Sequence, residues 1–163
     1  EYKGLDLLLH AMANERIKFS NIHLLVAGEF YSNEEKYKKL AEHLGIQNIT
    51  WFSEYIPDNE VNNYFCAADV IVQPYKSATQ SGVTQVGYHF EKPMIVTNVG
   101  GLAEIIPDEK VGYVVEPNSH ALANAIVKFF ASDNAIKMTE NIRDEKKKYA
   151  WNILTEKFRA LLK

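Results

Sequence analysis

Short apolar runs alternate with amphipathic stretches along this chain, and that alternation predicts most of its elements. Leu5, Leu8, Leu9 and Met12 recur at helical spacing, so residues 4 to 14 read as a helix. Ile22 to Ala27 is a short apolar run ending at Gly28, the pattern of a buried strand. Tyr37, Leu40, Ala41 and Leu44 give a second helix, stopped by Gly45. Ile49-Thr50-Trp51-Phe52 is the next strand, and Asp58 is placed to cap a helix through Asn63 to Ala67, with Pro57 just outside. Val70-Ile71-Val72 follows as a strand ending at Pro74, residues 82 to 90 as a helix, and Met94-Ile95-Val96 as a strand introduced by Pro93. Gly112 to Val115 is the last strand. After it, Asn118 caps a helix from Ala121 to Phe130, and a polar helix runs through Lys146-Lys147-Lys148 as a solvated face. A terminal helix starts at Trp151, with Leu154, Phe158 and Leu161 at helical spacing.

Strands that alternate with helices imply a parallel sheet with right-handed crossovers, an α/β doubly wound architecture. Ligands in such sheets bind beyond the carboxyl ends of the strands. The segments to search are therefore Gly28-Glu29, Ser53 to Ile56, Gln73 to Gly82 and Asn98 to Gly101.

Composition narrows the class. The 163 residues are 47% hydrophobic and 24% charged, which suits a single globular domain over 1–163 with a real core. A net charge of -3 argues against a nucleic-acid partner. No apolar run approaches the roughly 18 residues of a membrane span, and Glu1-Tyr2-Lys3-Gly4 leads straight into an amphipathic pattern, so no signal peptide is expected. The single cysteine, Cys66, lies in an apolar stretch and reads as a buried structural thiol, in keeping with a reducing cytoplasm. The sequon Asn48-Ile49-Thr50 is discounted because it falls at a strand entry.

Several familiar chemistries are missing. No Gly-x-Gly-x-x-Gly follows a strand and there is no Walker lysine loop, so neither a dinucleotide dehydrogenase nor a P-loop enzyme is supported. The five histidines show no metal-ligand spacing, and no metal is expected. Gln80-Ser81-Gly82 only superficially suggests a nucleophile elbow. The segment Tyr75 to Gly82 is more informative: a strand runs out through small polar residues into a glycine that opens a helix. Backbone N–H groups there suit an anion such as a diphosphate. The plainer alternative is an ordinary helix capped by Ser81 or Thr79. Asn98-Val99-Gly100-Gly101 likewise reads as a turn at the ligand face or simply as a turn.

Taken together these segments resemble the C-terminal, nucleotide-sugar-binding domain of retaining GT-B glycosyltransferases of the family-4 (group 1) type. The resemblance rests on Lys3-Gly4-Leu5-Asp6, Leu25-Val26-Ala27-Gly28, Ala67 to Tyr75, Lys92 to Glu104, and Gly112 to Pro117, in order along nearly the whole chain. It implies a Rossmann-like doubly wound sheet and a nucleoside diphosphate sugar as donor. Lys3 and the backbone of Gln80, Ser81, Gly82 and Val83 would hold the diphosphate, with Tyr55 and Ile56 against the base. Gly28, Gly100 and Gly101 would form strand-end turns, and Glu104 matches a family glutamate. The transfer would move a hexosyl unit, with retention and without metal or other cofactor, to a glycan or lipid-linked acceptor bound by an N-terminal domain. Localisation would be cytoplasmic, with peripheral membrane attachment of the full-length protein an option.

Two departures qualify the resemblance. The family's pair of glutamates falls near Ala78 or Thr79 and near Val86 or Gly87, where none is acidic. Thr79, Val86 and Gly87 thus stand on the sugar and ribose side, and a hydroxyl of Thr79 or Ser81 or the Gln80 amide would have to replace a carboxylate. The family also carries a strand ending in Gly-Arg just before the Lys-Gly pair, so the sheet is expected to lack its first strand. Its backbone groups would be left unpaired, inviting closure of its neighbours or self-association with a second copy. An isolated domain of this kind is expected to bind donor weakly and catalyse nothing. A non-catalytic scaffold, and more remotely a sugar-nucleotide epimerase, are the competing readings.

Overall fold

The computed structural model describes residues 2–31, 33–131, 134–149 and 155. Helix α1 (Leu5–Met12) starts at Gly4, whose φ of 66° is left-handed and whose position leaves no room for a side chain: a Cβ there would sit 1.8 Å from the carbonyl oxygen of Pro74. Only glycine meets both demands. A short helix α2 (Glu15–Lys18), absent from the sequence reading, follows because the Asn14 side chain accepts from Arg16 N–H. Strand β1 (Leu24–Ala27), helix α3 (Glu34–His43), strand β2 (Ile49–Phe52) and helix α4 (Val61–Ala67) come next. Strand β3 (Ile71–Gln73), helix α5 (Gly82–His89), strand β4 (Met94–Thr97) and the one-turn helix α6 (Leu102–Ile105) lead to strand β5 (Gly112–Val115). Helices α7 (Ser119–Phe130) and α8 (Asn134–Glu145) then run into a 3-10 turn over Lys146–Tyr149. Asn118 caps α7 as expected, its side chain accepting from Ala121 N–H at 2.8 Å. The helix expected from Trp151 lies outside the described residues.

The strands are parallel but form two sheets: β1 with β2, and β3-β4-β5. Among the described residues no strand lies between β1 and β3, which agrees with the expected gap. Burial follows from it. Strand β4 is central, and all four of its residues are buried. Ile95 faces a core built on α1, α3 and α7, while Met94 and Val96 face a second core with Tyr88, Leu102, Ile106 and Ile142. Leu9, Leu122 and Ile126 pack in the first core, each such aliphatic side chain contributing roughly 1.5–3 kcal/mol.

Strand β1 is different: Leu25 stays 37% exposed, and Phe52 of β2 is 40% exposed. The expectation of a buried strand at Ile22 to Ala27 is corrected here, because apolar residues are buried only where a neighbour covers them, and one face of β1 and β2 is thinly covered. Helix α4 lies near that face, with Tyr64 edge-on to Phe52 at 5.2 Å, yet buries none of its own residues. Two further expectations fall with it. Cys66 is exposed rather than buried, and Asp58 caps nothing, since α4 starts after Glu60 with no side-chain cap.

Candidate functional site

The carboxyl end of the larger sheet is organised by a buried polar network. Gln73, which ends β3 and is 1% exposed, bonds through its side-chain amide to the hydroxyl of Thr84 at 3.2 Å. Thr84 lies in the first turn of α5, so this contact pins the helix start to the strand end. The Thr97 hydroxyl at the end of β4 donates to the carbonyl of Tyr75 at 2.6 Å. Sequence reading marked Gln73 only as the start of a strand-end segment and did not single out Thr84 or Thr97; the available signal was a polar side chain set in each apolar strand or helix face.

Helix α5 then opens toward solvent. Ser81 occupies the N-cap position but makes no capping hydrogen bond; its hydroxyl lies 3.4 Å from that of Tyr75. The first-turn N–H groups are therefore not closed by a cap, and the space around Gly82 is open, with nothing within 4 Å of where a Cβ would be. Such a helix start favours an anion.

The paired glycines support this loop rather than line it. Gly100 has a φ of 51°, and a Cβ on it would lie 1.6 Å from the carbonyl oxygen of Ala78. Gly101 N–H donates to the Thr79 carbonyl at 3.0 Å. Of the two, only Gly100 has a positive φ; Gly101 sits at -79°. Thr79 and Gln80 are exposed above this brace. Gly87 is buried, with a Cβ there meeting Met94 Sδ at 2.7 Å, and Val86 is half-buried. Position 87 therefore faces the core, and a carboxylate there would run into Met94.

The remaining candidates are scattered along the same edge. Lys3 is exposed beside Tyr2, whose carbonyl accepts from Lys76 N–H at 2.8 Å, so this segment runs past the end of β3. Tyr55 (66% exposed) and Ile56 follow β2, in the other sheet, and Gly28 ends β1 with open space around it. Glu104 is exposed on the single turn of α6.

A hollow of about 400 Å3 on this edge is lined by Tyr2, Asp6, Lys36, Tyr37 and Lys76. Lys76 Nζ pairs with Asp6 Oδ2 at 2.6 Å. Partial burial raises the pKa of the Asp6 carboxyl, but hydrogen bonding and attraction from Lys76 outweigh it and leave the group below its ordinary value. A second hollow, about 480 Å3, involves Asp69, Pro93 and Arg143. It lies where β3 and β4 begin, the end of a parallel sheet that does not collect ligands. Neither hollow is lined by Lys3, Tyr55, Ile56 or residues 80–83.

Comparison with known proteins bears on the fold and the family. The chain is 28% identical over 142 residues to a D-inositol 3-phosphate glycosyltransferase of Streptomyces avermitilis, covering 82% of the chain and 31% of the relative. It is 29% identical to an uncharacterized glycosyltransferase of Methanocaldococcus jannaschii, covering 91% and 41%. The chain thus spans well under half the length of these curated relatives. Among solved structures, a Rickettsia africae glycosyltransferase superimposes with a TM-score of 0.84 at 24% identity, covering 99% of this chain and 44% of that one. Anabaena HepE in complex with UDP-glucose gives 0.80 at 18%, with 99% and 45% covered. The C-terminal domain of Francisella tularensis LpcC gives 0.81 at 22%, with 92% and 81% covered. These three share the fold. The profile described as Glycosyl transferases group 1 matches residues 1–149, nearly the whole chain, and the chain belongs to that family.

Proposed function

We propose that this chain is the donor-binding domain of an enzyme that moves a hexosyl unit, with retention, from a nucleoside diphosphate sugar to a glycan or lipid-linked acceptor. The observation that carries this reading is the uncapped first turn of α5, Gly82 and Val83, held at the end of β3 by Gln73 and Thr84 and braced by Gly100. Its open amides suit a diphosphate leaving group, whose developing charge they would stabilise. In this reading Lys3 is the cation that the diphosphate would meet. The relatives named for glycosyl transfer to an inositol phosphate, and the neighbours solved with UDP and UDP-glucose, support a nucleotide-sugar donor. Neither metal nor cofactor enters this reading, which puts the enzyme in the cytoplasm.

Titration with UDP, GDP and UDP-glucose, followed by amide NMR, tests it. Binding should be weak, should perturb Gly82 and Val83, and should weaken further in Lys3→Ala. Equal binding by that variant would remove Lys3 from the site.

A non-catalytic scaffold is favoured by one observation, the burial of Gly87 against Met94 where the ribose-side acid is expected. Hexosyl transfer by the full-length protein from any nucleotide sugar would eliminate it. The open edges of β1 and β3 also support self-association through the parted sheet, which sedimentation at increasing concentration would reveal.

A further inference from the structure

We propose that Tyr75 is a positioning residue: its buried hydroxyl draws the Ser81 side chain away from the first turn of α5, so that the Val83 N–H stays open to an anion instead of being closed by a cap. The inference rests on the donor-site reading for the identity of that anion, and on its own geometry for the role of Tyr75.

Ser81 has what a capping residue needs. It occupies the N-cap position of α5 with an extended backbone, φ -135° and ψ 125°. Serine is among the preferred residues there because its hydroxyl accepts from the second or third helical N–H. The asparagines at the same position of α2, α3 and α7 do cap: Asn14 accepts from Arg16, Asn33 from Lys36 and Asn118 from Ala121. Ser81 makes no such bond; its hydroxyl lies 3.4 Å from that of Tyr75. The Thr84 N–H is met by the Ser81 carbonyl at 3.2 Å, which leaves Gly82 and Val83 as the uncapped donors of the turn.

Burial decides which partner Ser81 takes. Tyr75 is 8% exposed, and its ring packs in the second core with Tyr88, Met94, Val96 and Leu102. Its backbone is held by the 2.6 Å bond from the Thr97 hydroxyl to its carbonyl, and its ring is edge-on to Tyr2 at 6.0 Å. The phenol is therefore the fixed member of the pair, whereas the half-buried serine turns about a single torsion. A buried hydroxyl left without a partner bears its full desolvation penalty, and among the described residues the Ser81 hydroxyl is the partner Tyr75 has. The helix amides are better placed to do without Ser81: Gly82 is exposed and Val83 half-buried, so water serves them. At 3.4 Å the hydroxyl pair is longer than an ordinary one, so the bias it sets is modest and its effects are a few-fold.

The consequence concerns binding. A serine cap and a bound anion compete for the same N–H groups. With Ser81 turned aside, an arriving anion has no cap to break, so the turn is preorganised before the ligand comes. Tyr75 does this through Ser81, from within the core.

The experiment measures amide hydrogen exchange and UDP affinity by NMR in the parent chain, Tyr75→Phe, Ser81→Ala and the double variant. Phenylalanine keeps the ring in the core and removes only the hydroxyl. Released from the phenol, Ser81 should cap the helix: the Val83 amide should exchange about fivefold more slowly, and UDP should bind about fivefold more weakly, the worth of one serine cap. In the Ser81→Ala background there is no hydroxyl to turn, so adding Tyr75→Phe should change neither quantity; working within that background also cancels any contact Ser81 makes with UDP. Tyr75→Phe effects as large in that background as in the parent overturn the proposal, as does slowed Val83 exchange beside unchanged UDP affinity. If UDP shifts the Gly82 and Val83 amides in the parent but Tyr75→Phe leaves Val83 exchange unchanged, Tyr75 loses this role and the donor reading stands. If Tyr75→Phe slows Val83 exchange while UDP shifts neither amide in any variant, the donor reading fails and the control of the cap by Tyr75 stands.

Discussion

Replacing Gly100 by alanine separates the two tasks that this residue performs. The new Cβ would sit 1.6 Å from the Ala78 carbonyl oxygen, against the roughly 3.3 Å of close carbon–oxygen approaches, so the two loops must part by about 1.7 Å. The left-handed φ of 51° adds about 1–2 kcal/mol for any residue with a side chain. Parting the loops also strains or breaks the 3.0 Å bond from Gly101 N–H to the Thr79 carbonyl, a further loss of about 1 kcal/mol. The total, roughly 2–3 kcal/mol, should lower Tm by about 4–12 °C for a domain of this size. The more specific consequence is displacement of Ala78 to Gln80, the segment leading into α5. A shift of that size should move the amide resonances of residues 78–83 and reduce UDP affinity at least tenfold. Gly28→Ala is the control: its φ of 118° is equally glycine-like, but open space surrounds it, so it should cost stability without disturbing the loop. A Gly100→Ala protein whose 78–83 amides and Tm match those of the control would refute the brace.

Two further outcomes concern charge and exposure. Glu145 is 3% exposed and bonded to Lys148 and Lys110. The Lys148 hydrogen bond holds its carboxyl below the ordinary value of 4.5 against the opposing effect of burial, with Lys110 adding to the lowering. Its contribution is therefore present above pH 4.5 and lost as pH falls toward the depressed folded value. Glu145→Gln should cost roughly 1 kcal/mol at pH 7, the lysines being largely hydrated, and progressively less as pH falls below 4.5, as read by urea unfolding across that range. The second outcome is that a thiol reagent should label Cys66 in the native state at a rate close to that of a free cysteine; protection until unfolding would restore the buried reading.

Local chemistry made much of the fold legible. The Asn118 cap, the glycine start of α5 and the Pro93 entry to β4 each depend on residues within a turn of one another, so their signals survive in a linear reading. The one-turn helices α2 and α6 did not show, since four residues carry too little periodicity. The start of α5 was likewise recognisable as an anion-binding candidate from small residues after a strand.

What escaped the linear reading were contacts between distant segments. Asp6 meets Lys76 across 70 positions, Gly100 meets Ala78 only because β3 and β4 are neighbours, and Gly87 faces Met94 rather than a ligand because α5 lies on β4. The apolar run of β1 and the thiol of Cys66 were read as buried because hydrophobicity states a preference for burial, not its achievement. Achievement needs a covering neighbour, and neighbours belong to tertiary structure. The order of the residues by itself determined which of the longer segments become strands and helices and where to look for an anion site. Only the packing of two half-sheets decided which side chains surround that place, because burial and charge pairing are properties of proximity in space.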